Sequence, residues 1–220
     1  MDKFIKILKT MFLFFVYFIH EALTMLILKK LGVKNKFVVS FIMLLVTFIL
    51  TFIFILIYRK RFKKDFAEIN KKENEKTYIK DSIKTWLIGV LLMIIANLII
   101  GIFLTEISPN EASNRELIQK LYIFAIPTMV IFGPICEEII FRLSFKEFIN
   151  NKYIYILLSG LCFGYAHVIG ETGINLLYVI PYVILGMCFA HLFEKHQNII
   201  CPIIAHMIHN LMCIILIVLL

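Results

Sequence analysis

An all-α bundle of about seven transmembrane helices, enclosing a polar cavity, is the fold this sequence predicts. Two observations carry the prediction. Apolar residues make up 61% of the 220, against about 45–50% in soluble domains, and the excess lies in long blocks. Phe37–Tyr58 alone runs for 22 residues without a charge, enough to cross a hydrocarbon core of about 30 Å at ~1.5 Å per residue. Helices and short connections use up the length, so one integral domain is expected. Residues 1–120 would hold N-terminal transmembrane helices and a basic cytoplasmic loop. Residues 121–220 would hold the helices that carry the polar motifs.

Taken in order, Lys3, Lys6 and Lys9 precede an apolar run that opens at Met11. A signal peptide begins in this way. However, His20 and Glu21 follow and no small-x-small cleavage pattern is present, so residues 10–28 are read as a retained first helix. His20 and Glu21 are assigned to a helix end near the interface or to intrahelical partners. Phe37–Tyr58 is the second helix. Residues 59–84 are the most polar segment, with ten Lys or Arg. By the positive-inside rule they form a cytoplasmic loop whose basic cluster sets topology and meets anionic lipid.

Thr85–Thr105 is the third helix. Glu106–Lys120, with Pro109, Asn110, Ser113 and Asn114, reads as an outer loop. Leu121 opens the fourth helix, which Pro127 and Pro134 interrupt and which Arg142, Lys146 and Lys152 close. Proline frees backbone groups that neighbours must satisfy, so this helix is expected to be kinked and packed inside the bundle. Tyr153–Val168 is a fifth helix, short for a full crossing; Ile174–Phe193 and Ile199–Leu220 are the sixth and seventh. Seven crossings place the N-terminus inside. Lys29, Lys30, Lys34 and Lys36 then lie outside, against the rule, outvoted by the cluster at 59–64.

The net charge of +8 sits in these juxtamembrane segments. Membrane lipids account for it, and nucleic acid is not an expected partner. Cys136, Cys162, Cys188, Cys201 and Cys213 all fall in apolar runs with no CxxC pair, and read as small reduced hydrophobes.

Chemistry enters with Phe-Gly-Pro-Ile-Cys-Glu-Glu-Ile-Ile-Phe-Arg at 132–142. Each charge near the centre of a membrane helix costs about 2.5–3.5 kcal/mol on insertion scales, and here Glu137, Glu138 and Arg142 stand together. Residues four apart share a helix face, so Glu138 and Arg142 form an ion pair. Glu137 is turned about 100° away from Glu138 and needs a partner on another helix, or a proton. Alone, this stretch fits a structural cluster. Two more polar features follow: His167 in Phe163-Gly-Tyr-Ala-His167, and His206-Met-Ile-His209-Asn210, where His206 and Asn210 share a face. Each alone fits core or helix-to-helix hydrogen bonding. Together they lie on three helices, away from the ends and at similar depth, as one buried cavity requires. A carboxylate and two imidazoles there can activate water, and an amide can donate to an oxyanion.

Glu137-Glu138-x-x-x-Arg142, Phe163-x-x-x-His167 and His206-x-x-x-Asn210 resemble the three ordered motifs of the CPBP family, the CAAX proteases and bacteriocin-processing (Abi) proteins related to type II CAAX prenyl endopeptidases. The resemblance implies an α-helical intramembrane endopeptidase. In it, Glu137 and His167 activate the water, His206 and Asn210 stabilise the oxyanion, and Glu138 and Arg142 hold the geometry. Phe163 is packing, and His209 matches no required position. No cofactor is favoured, because Asn210 suits oxyanion donation better than metal ligation. Zn2+ is the other reading, with Glu137, His167 and His206 as its ligands. The substrate would be a membrane-associated peptide or small protein, such as a pheromone or bacteriocin precursor. The competing readings are a non-proteolytic scaffold or bacteriocin-immunity factor and, more weakly, a proton-relay transporter, which the lack of an inverted repeat disfavours.

Overall fold

The computed structural model describes residues 2–104 and 109–219, and every regular element among them is helical. In the first half these are α1 (Lys3–Lys30), α2 (Lys36–Ile57), α3 (Arg59–Ile69) and α4 (Lys72–Ile100). Asparagine starts α2, where the Asn35 side chain accepts from the Phe37 and Val38 N–H groups at 2.9 and 3.2 Å. Such a cap satisfies donors that a helix cannot satisfy itself.

The segment expected as a polar loop, 59–84, is instead helical throughout most of its length, as α3 and the first turns of α4. The reason is a sparse apolar stripe. Phe62, Asp65 and Ile69 are the buried face of α3, while its lysines point outward. Asp65 anchors this face: it accepts from Arg61 Nε at 2.8 Å and from the Ile199 N–H at 2.8 Å. Its carbonyl accepts from Asn198 Nδ2 at 2.8 Å. Arg61 also donates to the Gln197 carbonyl. Part of the basic cluster is therefore structural, and not only topological.

The second half holds α5 (Pro109–Ile126), α6 (Gly133–Glu138), α7 (Lys152–Ala166), α8 (Val179–His196) and α9 (Ile200–Leu219). The predicted outer loop is helical from Pro109 onward; its residues 106–108 lie outside the described ones. Proline suits a first helical position, where its missing N–H is not needed. The break in helical geometry lies at Leu121, with φ −146° and ψ 43°, and not at Pro127 or Pro134, where the kink was expected and where the chain stays helical. A 3-10 turn, Gly173–Tyr178, precedes α8.

Ion pairs gather at one end of the bundle. Lys9 meets Glu147 at 2.5 Å, Lys146 meets Glu194 at 2.6 Å and Lys195 meets Asp81 at 2.6 Å. The start of α1, the end of the motif helix, the start of α4 and the end of α8 therefore share a level. Among the described residues, six helical stretches are long and apolar enough to cross a membrane, and a shorter apolar helix adds a seventh. The seventh, α7, has 15 residues, about 22 Å at ~1.5 Å per residue. The chain is thus a multi-pass membrane protein by length and composition of its helices.

α7 packs tightly on α8 because glycine lines the contact. A Cβ on Gly160 would stand 2.9 Å from the Met187 backbone nitrogen, and one on Gly164 2.7 Å from that of Val183. This is the small-xxx-small device by which membrane helices approach closely. Gly164→Val should force the two helices apart at a cost of about 1–3 kcal/mol. A lower melting temperature in detergent is the expected measurement.

Candidate active site

The motif helix departs from α-helical geometry on both sides of its carboxylates. Pro127–Phe132 and Ile139–Ser144 are π-helical, with α6 between them. Wide turns of this kind are rare and concentrate at functional sites. They leave carbonyls in need of donors, and the structure supplies them. The Gly133 N–H bonds the Thr128 carbonyl. In that register the next donor belongs to Pro134, which has none. The Met129 carbonyl is left open, and Asn210 Nδ2 donates to it at 2.7 Å. In the second π turn, Ser159 Oγ donates to the Phe141 carbonyl at 2.8 Å and Ser144 Oγ to the Ile140 carbonyl at 2.5 Å.

Glu138 and Arg142 pair as their spacing requires. Arg142 Nε lies 2.8 Å from Glu138 Oε2, and both side chains are fully buried. Arg142 also donates to Ser159 Oγ at 2.6 Å and lies 5.0 Å over the Phe163 ring. Glu138 does a second thing that spacing alone did not reveal: its Oε1 holds His206 Nδ1 at 2.9 Å.

Glu137 turns the other way, toward three helices. Its Oε1 accepts from the Tyr17 hydroxyl of α1 at 2.8 Å. Its Oε2 is buried and has no hydrogen-bond partner. Facing that atom are His206 Nε2 at 3.8 Å and His167 Nε2 at 3.9 Å. Both imidazoles are oriented from behind. His167 Nδ1 is 2.8 Å from the Phe163 carbonyl, which can only accept, so Nδ1 carries the hydrogen. His206 Nδ1 faces the Glu138 carboxylate by the same logic. In their neutral forms both rings therefore turn an Nε2 lone pair toward Glu137. Three acceptors that meet across gaps of 3.8 and 3.9 Å leave a place for a group rich in hydrogens. Water, with hydrogen bonds of about 2.7–2.8 Å, donates to two such acceptors when the third carries a proton of its own.

A zinc ion would need the same three atoms drawn closer together. Bonds of about 2.0–2.1 Å in a tetrahedron put neighbouring ligand atoms about 3.3 Å apart, closer than these. Among the described residues, no three His, Cys, Asp or Glu side chains group closely enough to hold a metal ion.

The side chain of His206 is 3% exposed, while those of Glu137 and His167 are 16% and 21% exposed. The site therefore opens on the His167 side. His167 itself caps the end of α7, so it is not interior to its helix as expected; the short helix stops where the cavity begins. Its ring stacks on Tyr182 at 4.6 Å and 19°. Phe163 is packing, edge-on to Phe141 at 5.4 Å. His209 lies one turn from Cys213, Nε2 to Sγ at 3.6 Å, with Nδ1 buried and unpartnered. His20 is not at a helix end but has an intrahelical partner, the other reading of it. It sits mid-α1, against the Tyr17 carbonyl and 3.2 Å from Thr47 Oγ1.

Glu137, His167 and His206 are thus brought together, with Glu138 and Arg142 behind them. Asn210 is placed one contact away, on the Met129 carbonyl. Tyr17 and Ser159 were not singled out by sequence. A tyrosine in an apolar run, or a serine on a short helix, carries no signal of its own; the proximity of Tyr17 to His20 is the one hint.

Comparison with known proteins finds similarity over the segment that carries this geometry. Residues 119–212 match the family described as Type II CAAX prenyl endopeptidase Rce1-like. An uncharacterised protein of Mycoplasma capricolum subsp. capricolum is 27% identical over 138 residues, 56% of this chain and 40% of that protein. The Bacillus subtilis (strain 168) protein named "Putative membrane peptidase YdiL" is 32% identical over 114 residues, 49% of this chain and 44% of that protein. The UPF0177 protein YxdF of Lactococcus lactis subsp. lactis is 27% identical over 148 residues, 61% of this chain and 81% of that protein. The chain spans less than half the length of the first two. No solved structure matches it. Residues 119–212 hold all three motifs, and it is this segment that is similar to the Rce1-like type II CAAX prenyl endopeptidases.

Proposed function

We propose that this chain is an intramembrane endopeptidase that cleaves a membrane-associated peptide or small protein by a water molecule held between Glu137, His167 and His206. One observation carries the reading: the unpartnered Glu137 Oε2 faces two imidazole Nε2 atoms, at 3.8 and 3.9 Å. Glu137 takes a proton from the water as general base, and the oxygen attacks the scissile carbonyl carbon. The new C–O bond leaves a negative oxygen. His206 takes up a proton from solvent before the attack, is stabilised by Glu138 behind it, donates to that oxygen and keeps its proton when the C=O bond re-forms. Asn210 has a second amide hydrogen, beyond the one given to Met129, for the same purpose. His167 and Glu137 return a proton to the leaving amine as the C–N bond breaks. No metal takes part in this reading. The N-terminus is cytoplasmic, and the host is bacterial; a pheromone or bacteriocin precursor is then the natural substrate.

The test compares peptides released by cells that lack the protein, cells that express it and cells that express Glu137→Gln. Peptides present only with the wild type identify the substrate and support the reading. Equal peptide sets with Glu137→Gln would favour a non-proteolytic scaffold or immunity factor. A strong chelator applied to the purified active protein should leave its cleavage rate unchanged; loss restored by Zn2+ would overturn the metal-free mechanism.

A further inference from the structure

The hydrolytic carboxylate is held by a residue from outside the segment that carries the three motifs. We infer that Tyr17, on α1, is a positioning residue for Glu137, an inference that rests on the hydrolase reading above. The Tyr17 hydroxyl donates to Glu137 Oε1 at 2.8 Å, across a sequence separation of 120 residues. A carboxylate has two oxygens that can take a proton. With Oε1 committed to Tyr17, Oε2 is the oxygen left to face His167 and His206.

The surroundings are built for that bond. Gly133 lies one turn before Glu137, close beneath the bond: a Cβ there would be in ordinary contact with the Tyr17 hydroxyl at 3.6 Å and Glu137 Oε1 at 3.8 Å. The Tyr17 ring is held from its other side. His20 stacks on it at 5.6 Å and 26°, and His20 Nε2 is in turn 3.2 Å from Thr47 Oγ1 of α2. Near its start α1 is tied to the end of the motif helix by Lys9 and Glu147 at 2.5 Å. Leu13, one turn before Tyr17, is 1% exposed in the core. The first two helices therefore do more than span the membrane: they deliver a donor to the reacting carboxylate and brace it.

Tyr17→Phe keeps the ring and removes only the hydroxyl. A hydrogen bond to a charged group is worth about 10–100-fold in rate when lost from the reacting state. The expected result, with internally quenched hydrophobic peptides in detergent micelles as the probe, is a fall of about that size in kcat. KM should not change, and the melting temperature should fall by only a few degrees, for the carboxylate oxygen left unpaired. A second readout does not need turnover. Infrared difference spectra of the wild type against Glu137→Gln, and of Tyr17→Phe against Tyr17→Phe/Glu137→Gln, isolate the Glu137 carboxylate band in each background. Displacement of that band between the two pairs is expected. An unchanged band, or a displaced band with unchanged kcat, overturns the positioning role. Failure of the wild type to cleave any probe counts against the hydrolase reading alone, because the infrared pair still reports the Tyr17 bond.

Discussion

Glu137→Gln is expected to lower the cleavage rate by about 10²–10⁴-fold, the range that a positioned general base contributes. Its fold should survive unchanged. The amide keeps the shape of the side chain, and its oxygen can still accept from the Tyr17 hydroxyl at the distance of 2.8 Å. Its nitrogen would then point where Oε2 now faces two Nε2 lone pairs, and can donate to either. Removing a charge from the membrane interior also removes its insertion cost. The melting temperature in detergent should therefore stay level or rise while turnover is lost. Scanning calorimetry or tryptophan emission measures the first quantity and peptide cleavage the second. Turnover at the wild-type rate would remove Glu137 from the mechanism. A joint loss of folding and turnover would make it a structural residue.

Arg142→Ala should be the most destabilising single change in the motif helix, by about 3–5 kcal/mol. The guanidinium meets Glu138 at 2.8 Å and Ser159 at 2.6 Å, with both members of the pair fully buried. Its loss strands a carboxylate without a counter-ion. Replacing both partners, as in Glu138→Gln/Arg142→Met, should recover much of that stability, since a buried pair exchanged for neutral groups of similar volume is often tolerated. It should not recover activity. His206 Nδ1 would no longer face a carboxylate, and the imidazolium proposed at the oxyanion would lose its support. Thermal unfolding and cleavage measured on the single and double variants separate these two roles of Glu138. A double variant that is fully active would show that Glu138 serves the fold alone.

Much of this was legible along the chain because it depends on local order. Helical class follows from apolar blocks that only a helix can carry across lipid, since every backbone group must be satisfied within its own segment. The Glu138–Arg142 pair follows from a spacing of four. The three motifs, read together, picked out the residues that meet. Where the reading went astray, the cause was a weak local signal. The stripe of Phe62, Asp65 and Ile69 is too sparse to mark α3 within a run of lysines. In α5, Pro109 reads as a turn and as a helix start alike.

Other features exist only between helices. No spacing rule connects Tyr17 to Glu137, because 120 residues separate them. The second bond of Glu138, to His206, is a contact between the motif helix and α9. The task of Asn210 at the Met129 carbonyl depends on a π turn that Pro134 leaves one donor short. Sequence order therefore names the helices and the charges that must be neutralised within them. Which oxygen of Glu137 is free, and which ring nitrogens face it, is decided by the packing of α1, α7 and α9 around the motif helix. A hydrogen bond across a bundle is set by the positions of whole helices, and not by the residues beside it in the chain.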